Sequence, residues 1–458
     1  MTEKSRIADK SGFWRAEEKK MERHPKRVMV ISFDAVGSAD LADMQKLPHF
    51  QSVLEDAALC RHVDSVYPSL TYPAHTSIMT GRMPKNHGVV NNIRLQPKRE
   101  DPDWIYQRKY IKSPTLYSKA REKGMKTAGL LWPVIGRSGM DYYVPEIMVT
   151  RKWQNQILAN ALNGPIGYQL GLQRRFGHLR SGISQPELDD FITECALYTI
   201  RKYNPDLFFL HLTDVDTMRH QYGVHHEKAA EALWRHDKRL GRILKALEET
   251  GDMEETTVVL LGDHYQKDVS RAACLNYAFR KAGLLEVRND RIKSWRAFAQ
   301  NCDGSCYVYL NPRLSRKGAK DEAEAVKKRL LEVIHRLSEK ENFGIAKVFT
   351  GKEAGKLGAD PTCFLMLEAK EGWYFSDEFS QLIKKPEGAE CHRAWGTHGF
   401  LPEGEEYQTF FAMNGCCVRP GIVEAEMALW DEGATLAALI GVDLGETDGH
   451  VIREMLER

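Results

Sequence analysis

The sequence predicts an α/β fold, a mostly parallel sheet with helices on both faces and a smaller α+β subdomain inserted into it. Three observations predict it: short apolar runs ending in acidic residues recur along the chain, helical segments precede them, and shorter alternating elements take over between about 268 and 390. With 42% hydrophobic residues, the 458-residue chain can bury a large core. Its 65 Lys and Arg against 63 Asp and Glu leave a net charge of +2. That balance supplies no basic field for gripping a nucleic-acid backbone, so polymeric nucleic acid is not an expected partner.

Residues 1–26 are charged throughout, lack the apolar stretch of a secretory signal, and read as a polar arm or helix. RVMVISFDAVG (27–37) is the first buried parallel strand, and KTAGLLWP (126–133), DLFFLHLTDVD (206–216) and TTVVLLGDH (256–264) repeat its pattern. Ahead of the third run, Ser184 and Pro186 open a helix with Leu188, Phe191, Ile192, Cys195 and Thr199 at the helical period, stopping before Asn204-Pro205. A second helix runs from about Glu227 to Glu249, with Ala229, Leu233, Leu240, Ile243 and Leu247 on one face and Gly251 as its exit. SCYVYLNP and TCFLMLEA belong to the insertion at 268–390, after which TFFAMNG and ATLAALIGV return the chain to the main unit, residues 27–267 and 391–458. No apolar run approaches the roughly 20 residues of a spanning helix. Nine scattered cysteines without an export signal read as reduced thiols, so the expectation is a cytoplasmic protein with no membrane span.

In open parallel sheets, ligands gather beyond the carboxyl ends of the strands. Asp34 ends the first run, Asp214 and Asp216 the third, and Asp263 and His264 the fourth, while His220 follows Asp216 by four residues and His398 sits in the Gly-flanked loop WGTHGF. Mixed oxygen and nitrogen donors suit zinc or a comparable borderline metal, and their number exceeds one tetrahedral site, pointing to two divalent ions. Thr71, two residues before Pro73 in a helix predicted to reach Met79, would sit at the positive end of that helix. Its sequence neighbours include no base, so coordination to a divalent metal is the economical way to activate the hydroxyl.

Each of these residues also has a plainer reading. A strand-terminal Asp is usually a turn residue or helix cap, and Asp214 reads better as a structural carboxylate than as a ligand. His75, His87, His211, His225, His226 and His392 read as core, capping or surface histidines, with His225 the rival to His220. Cys302, Cys306, Cys391 and His392 lack the paired spacing of a structural zinc site.

Taken in order, the motifs resemble those of the nucleotide pyrophosphatase/phosphodiesterase group of the alkaline phosphatase superfamily. The likeness runs from about Arg27 to Gly449: ISFDAVG resembles its first metal-aspartate strand, PSLTYPAHTSIMTGRMPKNHGVVNN its nucleophile block, DVDTMRHQYG its D-x-x-x-H motif, LGDH its Asp-His pair and WGTHGF its last histidine loop. ATLAALIGV with DLGETDG resembles its C-terminal signature. The resemblance implies an alkaline phosphatase-like fold, one metal held by Asp34, Thr71, Asp263 and His264, and another held by Asp216, His220 and His398. It also implies a phosphate-binding role for Asn92 and an aromatic contact from Tyr72 to the leaving group. Arg219 before His220, Asp214 in place of a glutamate, and WPVIG depart from the family pattern.

The implied activity is hydrolysis of a phosphodiester or pyrophosphate bond in a small molecule or nucleotide, with Thr71 as nucleophile, a phosphothreonine intermediate and two divalent ions. Zinc comes first, with manganese or another transition metal as alternatives. Two such ions facing three aspartates leave a single net positive charge, which suits a monoanionic diester, and the nearest downstream arginine to Thr71 is Arg82. The alternatives are a phosphomonoesterase, phosphonate hydrolase or phosphomutase of the same superfamily, or a non-catalytic metal-binding homologue.

Overall fold

A computed structural model describes residues 23–151, 153–385, 395–423 and 426–457. The first 22 residues of the expected arm, together with Cys391 and His392, lie outside them. The four apolar runs supply β1 (Arg27–Phe33), β3 (Thr127–Leu130), β5 (Leu207–Leu212) and β6 (Thr256–Leu261), and two strands that the sequence reading did not single out, β2 (Ala58–Asp64) and β4 (Tyr142–Val144), join them. With Thr409–Gly415 they form one sheet in the order β2, Thr409–Gly415, β6, β1, β5, β3, β4, and the short strands Gly421–Ile422 and Met427–Ala428 pair with β2. β1 runs parallel to both neighbours, with Val28 opposite Leu207 and Thr257. Thr409–Gly415 alone runs against the strands beside it, placing Phe411 opposite both Leu261 and Cys60.

All residues of β1, β5 and β6 are buried, as expected for central strands covered on both faces. Alternation along β1 sends Met29, Ile31 and Phe33 to one cluster with Phe191, Leu240 and Ile243, and Val28 and Val30 to another with Ile78, Phe209 and Leu436. The first cluster is covered by helices Glu187–Tyr203 and Glu227–Glu248, the second by Thr71–Thr80 and Leu429–Leu439. Asn204 ends helix Glu187–Tyr203 in the left-handed region (φ 47°), where the chain turns into β5.

The third run departs from its predicted shape. β5 stops at Leu212, and Asp214 and Asp216 open a helix, Asp214–Tyr222, instead of ending the strand. The helix is capped from outside: Asp189 Oδ2 accepts the N–H groups of Thr213 (2.9 Å) and Asp214 (3.0 Å). Asp214, fully buried, spends both oxygens on Arg235 (2.7 and 2.8 Å) and one of them on Arg239 (2.8 Å). It is a structural carboxylate, and removing one partner of such a buried network costs about 3–5 kcal/mol.

Between 267 and 385 the chain builds a second apolar core. Strands Ala297–Cys302, Ser305–Leu310, Leu365–Ala369 and Ile345–Thr350 form an antiparallel sheet in that order. Helices Leu275–Lys281 and Lys320–Ser338 cover it through Phe279, Leu330 and Val333. Lys267–Ala273 pairs with Gly372–Phe375, Ile383–Lys384 and Gly396–Thr397 where the chain passes between the two cores.

Candidate active site

The carboxyl ends of β1 and β6 put Asp34 beside Asp263 and His264. Gly262 permits the approach, because a Cβ there would sit 1.9 Å from the Val36 carbonyl oxygen. Ala35 N–H then donates to Asp263 Oδ1 (3.2 Å), fixing that carboxylate, while His264 Nε2 lies 3.4 Å from Asp34 Oδ1 and 3.2 Å from Asp263 Oδ2. The first turn of helix Asp214–Tyr222 holds Asp216, one turn ahead of His220, whose Nε2 lies 3.3 Å from Asp216 Oδ1. His398 completes this second group, and each triad can bring its donor atoms within 4.8 Å of one another. The His264 and His398 rings stack with centroids 4.0 Å apart, so the two triads are neighbours.

Orphaned atoms show what this arrangement is built for. Asp34 Oδ1 and Asp263 Oδ2 are buried without a hydrogen-bond donor, a costly state for carboxylates that a cation would relieve. Burial, with Asp216 adding repulsion, pushes the Asp34 carboxyl up to about 8. Burial and the Asp34 charge likewise raise Asp263. Burial would raise Asp216 too, but His220, His398 and His264 outweigh it and hold that carboxyl well below the usual range. In the second triad the nitrogens not offered to a cation are anchored: His220 Nδ1 donates to Gly396 O (2.7 Å) and His398 Nδ1 to Ser69 O (3.1 Å). The donor set fits divalent, zinc-type ions.

Thr71 is the first residue of a helix buried along all its ten residues, and its Oγ1 lies 3.1 Å from His264 Nε2. That N-terminus has no side-chain cap from Leu70. Asn92 supplies one from a distance, its Oδ1 accepting the Tyr72 N–H (2.9 Å), which leaves the amide NH₂ for the cavity that Asn92 lines. The cavity measures about 490 Å³ and joins Asp34, Thr71, Asp216, His220 and His398 to a wall of Leu131, Val144, Ile147, Phe191 and Ile192. A larger, open cleft of about 740 Å³ between residues 93–102 and the insertion contains none of the expected residues.

Tyr72 does not have the position expected of it. It is fully buried, its hydroxyl donates to Glu146 O (3.2 Å), and its ring meets Trp104 edge-on at 5.2 Å. Trp104 lines the cavity and presents the aromatic surface instead. Successive helical residues point about 100° apart, so the residue after Thr71 faces away from the space that Thr71 faces. Arg82 turns to Glu446 and Asp448, whereas Arg180, remote in sequence, does line the cavity. Arg219 is turned away, pairing with Asp40 (2.6 Å) over the ring of Tyr265.

Three further residues belong to the site. His211 Nε2 lies 3.2 Å from Asp34 Oδ2 and its Nδ1 donates to Leu131 O, so it orients the first carboxylate. Its signal is a histidine within an otherwise apolar buried strand. Gln266, two residues after His264, donates to Asp216 Oδ1 (2.5 Å). His75 bonds the Thr71 carbonyl (2.8 Å) and Ser32 Oγ (3.0 Å) beneath the start of helix Thr71–Thr80. His87 is core, bonded to Ser77, and His225 is exposed, away from His220's place.

Residues 28–401 match the profile of the family described as type I phosphodiesterase / nucleotide pyrophosphatase. The chain belongs to that family. It is 21% identical over 257 residues to human ectonucleotide pyrophosphatase/phosphodiesterase family member 1, covering 54% of this chain and 24% of that protein. To human bis(5'-adenosyl)-triphosphatase ENPP4 it is 22% identical over 264 residues, 55% of this chain and 50% of that one. The matched stretch thus spans a quarter to a half of these curated relatives. Murine ectonucleotide pyrophosphatase/phosphodiesterase 5 superposes with a TM-score of 0.64 at 17% identity, covering 94% of this chain and 100% of that structure. The same relative has been solved in an inactive threonine-to-alanine form in complex with AMP, again with a TM-score of 0.64. These likenesses fix the fold as alkaline phosphatase-like.

Proposed function

We propose that the protein hydrolyses phosphodiester or pyrophosphate bonds of nucleotide-like small molecules, with Thr71 as nucleophile and two divalent ions, zinc first among them. The observation that carries this reading is the threonine hydroxyl at a helix N-terminus, 3.1 Å from a histidine of one triad whose ring stacks on a histidine of the other. Asp34, Asp263, His264 and Thr71 would hold one ion, and Asp216, His220 and His398 the other. Bound there, divalent ions lower the pKa of the hydroxyl and offset charge gathering at phosphorus.

The chain's own residues do the rest. Thr71, having lost its proton to water, forms a bond from Oγ1 to phosphorus as the ester P–O bond breaks. The leaving group departs with that electron pair and takes a proton from water. A second water cleaves the phosphothreonine, restoring the hydroxyl and releasing the phosphoryl product. Asn92 Nδ2 is placed to donate to a non-bridging oxygen as its charge grows, and Trp104 offers a flat apolar face to a leaving group such as a nucleobase. The AMP complex of the inactive relative supports both the nucleophile and the substrate class. The eight described cysteines are free thiols, which supports a reducing compartment.

Arg180 on the cavity wall is the observation that favours a second reading, a monoesterase that clamps a dianion. Zinc-reconstituted protein offered bis(p-nitrophenyl) phosphate and p-nitrophenyl phosphate separates the two. Faster diester turnover is expected, with a p-nitrophenyl phosphoryl adduct detectable on Thr71 by mass spectrometry after acid quench. Faster monoester turnover would reverse the assignment.

A further inference from the structure

None of the chain's 63 Asp and Glu residues falls among residues 147–186, while Arg151, Lys152, Arg174, Arg175 and Arg180 all do. The same stretch holds seven of the sixteen large apolar side chains left exposed among the described residues, Trp153 at 82%, Leu158 at 57% and Leu162 at 55% foremost. Soluble surfaces scatter such residues singly, so their gathering here calls for an occupant.

Two helices order them. In Gln156–Leu162, Leu158 and Leu162 are one turn apart, and in Ile166–Phe176 the residues Ile166, Leu170 and Arg174 follow at the same four-residue interval. The apolar stripes point outward and run into cations. Arg151 is neutralised by Asp103 (2.9 Å), but Arg174, Arg175 and Arg180 have no acidic partner among the described residues. Arg175 lies instead over the Tyr198 ring (4.9 Å) and Arg180 over that of Phe191 (5.3 Å).

We infer that residues 147–186 form a docking face for an anionic lipid surface, with the two short helices lying in the interface plane. An outward apolar stripe, flanking arginines, an exposed tryptophan and a stretch of chain without Asp or Glu are the composition that partitions there. A second copy of the chain would bring the same cations against each other. No described helix is long and apolar enough to cross a membrane. Gln156, Asn160, Arg180 and Ile183 also line the 490 Å³ cavity, so docking turns the cavity toward the lipid.

Sedimentation with phosphatidylcholine vesicles, with and without phosphatidylserine, tests this. Wild-type protein is expected to sediment with the phosphatidylserine vesicles and to be released by high salt. Trp153→Glu combined with Leu158→Glu and Leu162→Glu should lower the bound fraction about tenfold while leaving hydrolysis of a small soluble diester unchanged. Arg174→Glu with Arg175→Glu, which leaves the apolar stripe intact, should do the same. Wild type remaining in the supernatant would overturn the inference, as would variants that sediment like wild type. Analytical ultracentrifugation showing a wild-type dimer that these variants split would assign the face to a second copy. Binding is read without turnover, so failure of the hydrolase reading would leave this result standing.

Discussion

The two triads hold the same kinds of donor and are built in opposite ways. Asp34, Asp263 and His264 hang from the ends of two adjacent central strands, and the side chains of Asp263 and His264 have no exposure at all. Asp216 and His220 come from a helix and His398 from a loop beyond the insertion, and Asp216 keeps 16% of its side chain exposed to the cavity. The first site is set by the sheet and holds two buried carboxyl oxygens without a hydrogen-bond donor, so it should bind its ion tightly and release it slowly. The second is assembled from one helix and a distant loop, with its imidazoles already tied to carbonyls, and should exchange its ion and meet substrate more readily.

The largest effect should come from the residue that both triads serve. Thr71→Ala is expected to lower turnover of bis(p-nitrophenyl) phosphate by about a thousandfold or more, with metal content by elemental analysis unchanged. Turnover within tenfold of wild type would remove the nucleophile. The contrast between the sites is sharpened next by Asp263→Asn and His220→Ala, each expected to cost more than about a hundredfold. Added zinc should restore His220→Ala but not Asp263→Asn, and equal rescue of the two would erase the distinction drawn above.

A smaller loss tests how the sheet positions its triad. His211→Ala should weaken zinc affinity by about 10–100-fold in a competition titration, with stability at saturating zinc preserved. Trp104→Ala is expected to raise KM several-fold with kcat nearly unchanged, and a fall in kcat alone would deny the ring its contact with the leaving group. The smallest effect at neutral pH concerns a histidine outside both triads. Burial pushes His87 down to about 3, below its ordinary 6.5. The unfolded chain therefore takes up a proton first as pH falls, and stability is lost from pH 6.5 downward toward 3. At pH 5 this amounts to about 2 kcal/mol, so His87→Gln should flatten the loss of stability between pH 7 and 5 in urea unfolding.

Much of the molecule was readable because the informative signals are local. β1 and β6 are apolar runs ending in the acidic residues that their geometry delivers to one edge, and the helix Glu227–Glu248 follows its period almost to the predicted end. The motif order led to a set of candidate ligands, six of which the fold gathers into two groups. The misread features depend on direction or distance. The third apolar run gave no sign that Asp189, in the preceding helix, would cap a new helix at Thr213 and Asp214. Tyr72 borders Thr71 in sequence, yet the helical turn points it into the core, while Trp104 and Arg180 reach the cavity through folds of the chain that carry no periodic mark.

The loop bearing His398 is gripped from both sides. Gly304, in the hairpin turn of the inserted subdomain, donates its N–H to His398 O (2.8 Å), and Gly399 donates to Ser69 O (3.0 Å) on the approach to Thr71. A Cβ on Gly399 would lie 1.8 Å from Cys302 O, so the fit admits no larger residue. The two halves of the site are therefore inseparable: a shortened chain lacking the insertion would keep the strand-borne triad and lose the wall that holds the last imidazole in place.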